Sequence, residues 1–136
     1  MRFIGYIALS LALMFVTYGS AANSSDTIKI TNLYSSEPVT RGVENEITVE
    51  VEYNLETGEE GEINLGFNTD KPNAFRMVDS RIVQRGSGSA TLKAKVVPVD
   101  WGQRARFMAL VNLSKHPHEA RWRTLASDRK EIPVGH

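Results

Sequence analysis

The chain of 136 residues contains no cysteine, which excludes disulfide frameworks, thiolate metal sites and cysteine nucleophiles. It has no excess of either charge, since 16 Lys and Arg balance 16 Asp and Glu. Domains that bind nucleic acid are usually basic, so we expect no nucleic-acid partner. No segment repeats apolar residues at the helical spacing of three and four. A chain of this length holds one domain.

The first 22 residues have the pattern of a secretory signal peptide. Arg2 supplies a positive charge, residues 3–16 are uncharged and mostly apolar, and small residues follow. Cleavage after Ala21 or after Ala22 satisfies the small-residue rule. The apolar run is shorter than the roughly 20 residues that a membrane-spanning helix needs, although an uncleaved anchor stays an alternative. We therefore expect export, to the periplasm or outside the cell, with no membrane span in the mature chain.

The rest of the chain, residues 23–136, is predicted to form strands, because apolar and polar residues alternate along it. The clearest case is Glu46–Leu55, where every second residue is apolar. Polar, glycine-containing segments at Thr57–Gly61 and at Gly86–Gly88 are predicted to be turns, as is Asn68–Asn73. The other strand candidates are Thr27–Leu33, Ile63–Phe67, Phe75–Val83, Ala90–Val96, Ala105–Leu113, a segment around Trp122, and Glu131–Val134.

About seven short strands at this spacing predict an all-β domain, a single two-sheet antiparallel β-sandwich. The strand rhythm resembles that of the immunoglobulin-like and fibronectin type III-like sandwiches of exported proteins. The resemblance covers residues 23–136 but includes no motif, because the Cys…Trp…Cys pattern of true immunoglobulin domains is missing. It implies a fold and no particular activity.

Charge is segregated along the chain. Residues 23–75 hold 11 acidic and 3 basic residues, whereas residues 76–136 hold 12 basic and 5 acidic ones. In a sandwich of this kind the second and fifth strands are neighbours, so Glu50 and Glu52 are expected to face Lys93 and Lys95. Opposite charges paired across strands contribute about 0.2–1 kcal/mol each and help to fix the register.

A candidate binding face follows from the alternation around Ala105 and Phe107. If these two side chains point inward, their neighbours Arg104 and Arg106 point outward. Arginine and methionine are enriched at protein interfaces, so this strip is predicted to dock a protein or an anionic glycan. The alternative is a solvated face whose apolar residues are covered by the end of the chain. The predicted binding face consists of Arg104, Arg106, Met108, Leu110, Arg121 and Arg123.

Other candidate chemistry is sparse. His116 and His118 would project to one side of an extended segment, an arrangement that two metal ligands need, so a small copper- or zinc-binding protein is the alternative function. Trp101 is predicted either to close the bottom of the core or to contact a sugar or partner. No nucleophile, base and orienting group can be assembled from the residues, so we expect no enzyme and no cofactor.

Overall fold

The computed structural model describes residues 25–71, 74–98, 106–117 and 123–135. The predicted signal peptide therefore lies outside the described residues, as do Trp101, Arg104, His118 and Arg121. The described ranges contain strands and no helix, so the prediction of an all-β protein is confirmed. None of these ranges supplies a helix long and apolar enough to cross a membrane.

The described residues form one curled antiparallel sheet of five strands. The hydrogen-bonded order is β1-β2-β4-β5, and β3 pairs with β2. The strands are β1 (Thr27–Ser35), β2 (Asn45–Lys71), β3 (Ala74–Val96), β4 (Met108–Lys115) and β5 (Thr124–Glu131).

The long strands β2 and β3 bend together where the sequence predicted turns. Their pairing runs to Leu55 opposite Gly86, is interrupted, and resumes at Glu60 opposite Gln84. Gly58 and Gly86 have φ values of 127° and 111°, which L side chains rarely adopt. A seven-strand, two-sheet sandwich is thus not confirmed, because the chain bends at these positions and does not reverse.

The bend divides the sheet into two halves that enclose the core. The first half of β2 pairs with β1 and with the end of β3, whereas its second half pairs with β4 and with the start of β3. Apolar side chains that alternate along the strands point between the halves, so burying them holds the halves together. Among the fully buried side chains are Ile47, Val49, Leu65, Phe67, Leu92, Val111 and Leu113.

The pairing of β2 with β3 corrects the expected charge register. The two strands are neighbours, but Lys95 lies opposite Glu46 and Lys93 lies opposite Thr48. Glu50 and Glu52 face uncharged residues of β3, and Lys29 of β1 lies opposite Glu52. The expected neighbours are present, but the register is shifted along the strands.

Candidate functional site

The candidate binding face is built on β4, whose described inward residues are buried as predicted. Phe107 is 2% exposed, and Ala109, Val111 and Leu113 are fully buried in the core. The residues between them therefore point to the opposite, outer face of the sheet. Met108 is half-buried there.

Asn68, at the end of β2, fixes the segment that leads into β4. Its side-chain nitrogen Nδ2 donates to the carbonyl oxygen of Arg106 at 2.8 Å, and the Met108 amide donates to its Oδ1 at 2.8 Å. Asn68 is only 1% exposed. Two part-buried hydrogen bonds thus fix the backbone on both sides of Phe107.

Arg106 is strongly exposed and, among the described residues, pairs with Glu131 at the end of β5. The distance from its guanidinium to the Glu131 carboxylate is 3.5 Å, and the side chains are 72% and 50% exposed. Exposed pairs of this kind contribute about 0–1 kcal/mol, because water and salt screen them. Arg106 therefore keeps most of its capacity to bind another anion.

Leu110 is not exposed, which corrects the sequence expectation. Only 8% of it is accessible, although it lies on the outer face. Its partner on β5 is Arg129, whose guanidinium carbon lies 5.2 Å from the centre of the Phe75 ring. Since β2 and β4 separate β5 from β3, these two side chains meet above the outer face of the sheet.

The described end of the chain forms hydrogen bonds with the segment around Thr40. The Gly135 amide donates to the Val39 carbonyl at 2.9 Å, and Gly135 accepts from the Arg41 amide at 3.1 Å. Gly135 also forms a parallel bridge with Thr40. The terminal segment is thus held beside residues 39–41.

Met77 extends the same outer face on β3. It lies opposite Gly66 of β2, and a Cβ added to Gly66 would lie 2.8 Å from the Met77 sulfur. The absence of a side chain at Gly66 therefore makes room for Met77, which stays 43% exposed. We call the surface formed by Phe75, Met77, Arg106, Met108 and Arg129 the Arg/Met face.

Arg129 forms no ion pair with an acidic residue in the described part of the chain. Its guanidinium makes no hydrogen bond or ion pair within the described ranges, and the Phe75 ring is its only aromatic contact there. A cation held over an aromatic ring gains about 0.5–2 kcal/mol and keeps the edge of the guanidinium available for hydrogen bonds.

Arg123 lies apart from Arg106, contrary to the expected cluster. It precedes β5, where Thr124 pairs with Ser114, whereas Arg106 lies beyond the pair Met108–Glu131 at the other end of the hairpin. The strand that pairs with β4 is β5, which begins at Thr124. Glu131 and Arg129 therefore lie opposite Met108 and Leu110, where Arg121 and Arg123 were expected. Arg104 and Arg121 lie outside the described residues.

His116 contacts Glu60 rather than a set of metal ligands. Its Nδ1 lies 3.2 Å from Glu60 Oε1, and its backbone amide donates to the Glu60 carbonyl at 3.1 Å. A hydrogen bond from Gln84 and, second, the one with His116 lower the pKa of the Glu60 carboxyl. The described residues contain no group of three potential metal ligands. With His118 outside them, metal binding stays a prediction.

Sequence reasoning missed Phe75, Met77 and Arg129. Phe75 and Met77 do alternate within a strand candidate, which was the available signal. Their place beside Arg129 depends on the strand order β3-β2-β4-β5, which no local pattern reveals.

Comparison with known proteins identifies no family. No family profile and no curated protein matches the chain. Among solved structures it is similar to part of a beta-glucosidase from Kluyveromyces marxianus, with a TM-score of 0.35 and 10% identity. The match covers 85% of this chain and 15% of the enzyme chain. A likeness of this size indicates neither a family nor an activity.

Proposed function

We propose that the protein is an exported, non-catalytic binding module that docks an acidic partner protein on the Arg/Met face. The observation that carries the proposal is Arg129, which is held over Phe75 without an acidic partner in the described part of the chain. Arginine, aromatic residues and methionine are the residue types enriched where proteins bind each other. The face combines all three.

Charge indicates the chemistry of the partner. The Arg129 guanidinium forms no ion pair within the described residues, and Arg106 has one weak, exposed pair. A partner that carries carboxylates would provide both guanidiniums with the bidentate contacts that arginine favours. Such an interaction weakens as salt is added, because exposed charges are screened.

Apolar exposure favours a protein over an anionic glycan. Met77 is 43% exposed and Ile82, further along β3, is 48% exposed. Both lie on the outer face, since their partners Gly66 and Glu62 flank the buried residues Ile63 and Leu65. A sulfated or carboxylated polysaccharide would leave this apolar surface in water, whereas a protein side chain would bury it.

The test uses synthetic polymers as defined probes. We expect the protein to bind an immobilised random copolymer of glutamate and tyrosine more tightly than polyglutamate, which lacks an apolar group. Added salt should weaken both. Arg129→Ala should reduce copolymer affinity at least about tenfold, since truncating a hydrogen-bonded charge contact commonly costs 2 kcal/mol or more. Met77→Ala should reduce binding to the copolymer more than to polyglutamate.

A matched control separates this face from general positive charge. Lys95→Ala removes a cation on the other half of the sheet, opposite Glu46, and should leave binding unchanged. Circular dichroism and the melting temperature establish that each variant is folded. Binding to heparin but not to the copolymer would identify an anionic glycan and refute a protein partner. Unchanged binding by folded Arg129→Ala would refute the proposed face.

A further inference from the structure

A row of four polar side chains crosses the outer face beside the Arg/Met face. Ser80 of β3 lies opposite Asn64 of β2, Asn64 lies opposite Asn112 of β4, and Asn112 lies opposite Ser127 of β5. Residues opposite each other on neighbouring strands project from the same face. With strands about 4.8 Å apart, the row is about 14 Å long.

These side chains have no partners among the described residues. None of the four forms a side-chain hydrogen bond or ion pair there. Asn64 is 7% exposed, and its Nδ2 is buried without an acceptor. Buried polar groups in folded proteins are nearly always hydrogen-bonded, so such an atom needs an explanation.

The row lies next to the contact that carries the proposed function. Two residues along from Asn64 and Asn112 are Gly66 and Leu110, over which Met77 and Arg129 lie. Two residues of strand correspond to about 7 Å. A ligand that contacts Arg129 can therefore reach the two amides without leaving the face.

We propose that this row binds the peptide groups of an extended segment of the partner, while an acidic side chain of that segment contacts Arg129. The inference rests on the proposed function and adds what part of the partner is recognised. A carboxamide offers one donor group and one acceptor, which match the C=O and N–H of a peptide group. Half-buried Asn112 and the exposed Ser80 and Ser127 would present such polar groups to the segment. Four residues of extended chain span about the length of the row.

The experiment compares two synthetic peptides. One is an acetylated, amidated octapeptide of alternating glutamate and tyrosine, and the other has the same sequence with N-methyl groups on every second amide. N-methylation removes peptide donors and keeps the charges. We expect the methylated peptide to bind at least about fivefold more weakly. Asn64→Leu and Asn112→Leu should each weaken binding of the unmethylated peptide about three- to tenfold and affect the methylated one less.

Folding does not confuse this test. Asn64→Leu removes an amide that has no partner, so its melting temperature should be unchanged or higher, and Asn112→Leu changes a less buried position. Thr91→Val, on the other half of the sheet opposite Glu50, is the matched control and should bind both peptides like the original protein.

The outcomes separate the two proposals. If Arg129→Ala weakens peptide binding but both leucine variants bind unchanged, the row has no part in recognition, and the docking face stands. The same conclusion follows if N-methylation has no effect. A further outcome is that the unaltered protein binds none of these probes, namely both octapeptides, the glutamate–tyrosine copolymer and polyglutamate. That result would refute both the docking face and the row.

Discussion

The carboxylate of Asp128 on β5 accepts a hydrogen bond from the backbone amide of Ile30 on β1, at 2.8 Å. The two strands form no backbone ladder with each other, since β1 pairs with β2 and β5 pairs with β4. The side chain therefore satisfies an amide on the open edge of β1 and links the two margins of the curled sheet. An edge amide that is occupied in this way is also withheld from other chains.

We expect Asp128→Ala to lower the free energy of unfolding by about 1–3 kcal/mol, because the part-buried Ile30 amide loses its acceptor. Asp128→Asn keeps an oxygen at the same place and should cost less. Urea unfolding followed by circular dichroism measures both. Equal stability of the alanine variant and the original protein would show that the contact does not hold the margins together.

The carboxylate of Asp79 on β3 accepts a similar bond from a backbone amide. Its Oδ2 accepts from the Lys93 amide at 2.9 Å, which joins the two halves of β3. Asp79→Ala should increase the hydrogen-exchange rate of the Lys93 amide several-fold, whereas the amide of Leu92, whose side chain is fully buried, should change less. Identical exchange at Lys93 in both proteins would contradict the role of this bond.

The buried faces of β4 and of the first half of β2 could be predicted from sequence, and the path of the long strands could not. Alternation in Glu46–Leu55 and in Ala105–Leu113 identifies inward residues because side chains in a strand point to opposite faces in turn. Gly86 is different, since a positive φ suits a hairpin turn and a bend in a paired strand equally well. Only the partner strand, with Leu55 opposite Gly86, decides between them.

In the candidate site, too, the direction of a side chain could be predicted from sequence, but its contacts with other strands could not. Arg106 and Met108 could be placed outward from their own neighbours in sequence. Leu110 was expected beside them on the outer face, but it is only 8% exposed, and the neighbouring contact there joins Phe75 and Arg129. Whether these two residues can meet depends on the strand order β3-β2-β4-β5. The pattern of a single sequence does not reveal that order.

Asn68 should be needed both for stability and for the position of Arg106. Asn68→Ala leaves the Arg106 carbonyl and the Met108 amide without their partner, so we expect a loss of about 2–4 kcal/mol from two part-buried hydrogen bonds. Asn68→Asp keeps the acceptor for Met108 but buries a carboxylate against the Arg106 carbonyl oxygen, so it should be at least as unstable as the alanine variant. Thermal unfolding measures both variants, and an aspartate variant as stable as the original protein would contradict this assignment.

Gly66 should tolerate no larger side chain while Met77 keeps its place. A Cβ at this position would lie 2.8 Å from the Met77 sulfur and 3.1 Å from the Arg76 carbonyl oxygen. Gly66→Ala should therefore cost about 1–3 kcal/mol in unfolding free energy. Adding Met77→Ala should recover part of the loss, because it removes the closer contact and leaves the backbone one. A double variant no more stable than the sum of the single changes predicts would exclude this clash as the cause.

The carboxylate of Glu60 should be protonated at a lower pH than that of an ordinary glutamate. Its pKa is lowered by the hydrogen bond from Gln84 and then by His116. A carboxyl with a lowered folded-state pKa contributes stability above its ordinary pKa of about 4.3 and loses it as the pH falls through the lower value. We expect Gln84→Ala to move the Glu60 titration, followed by carboxyl-carbon NMR, upward toward the ordinary value.

Glu56 provides the control for that titration. Its pKa is lowered by hydrogen bonds from Ser25 and Asn54, so the Gln84 substitution should leave it in place. Conversely, Asn54→Ala should raise the pKa of Glu56 and leave Glu60 unchanged. If both carboxyls shifted together in either variant, the lowering would come from the general field of the protein and not from these individual hydrogen bonds.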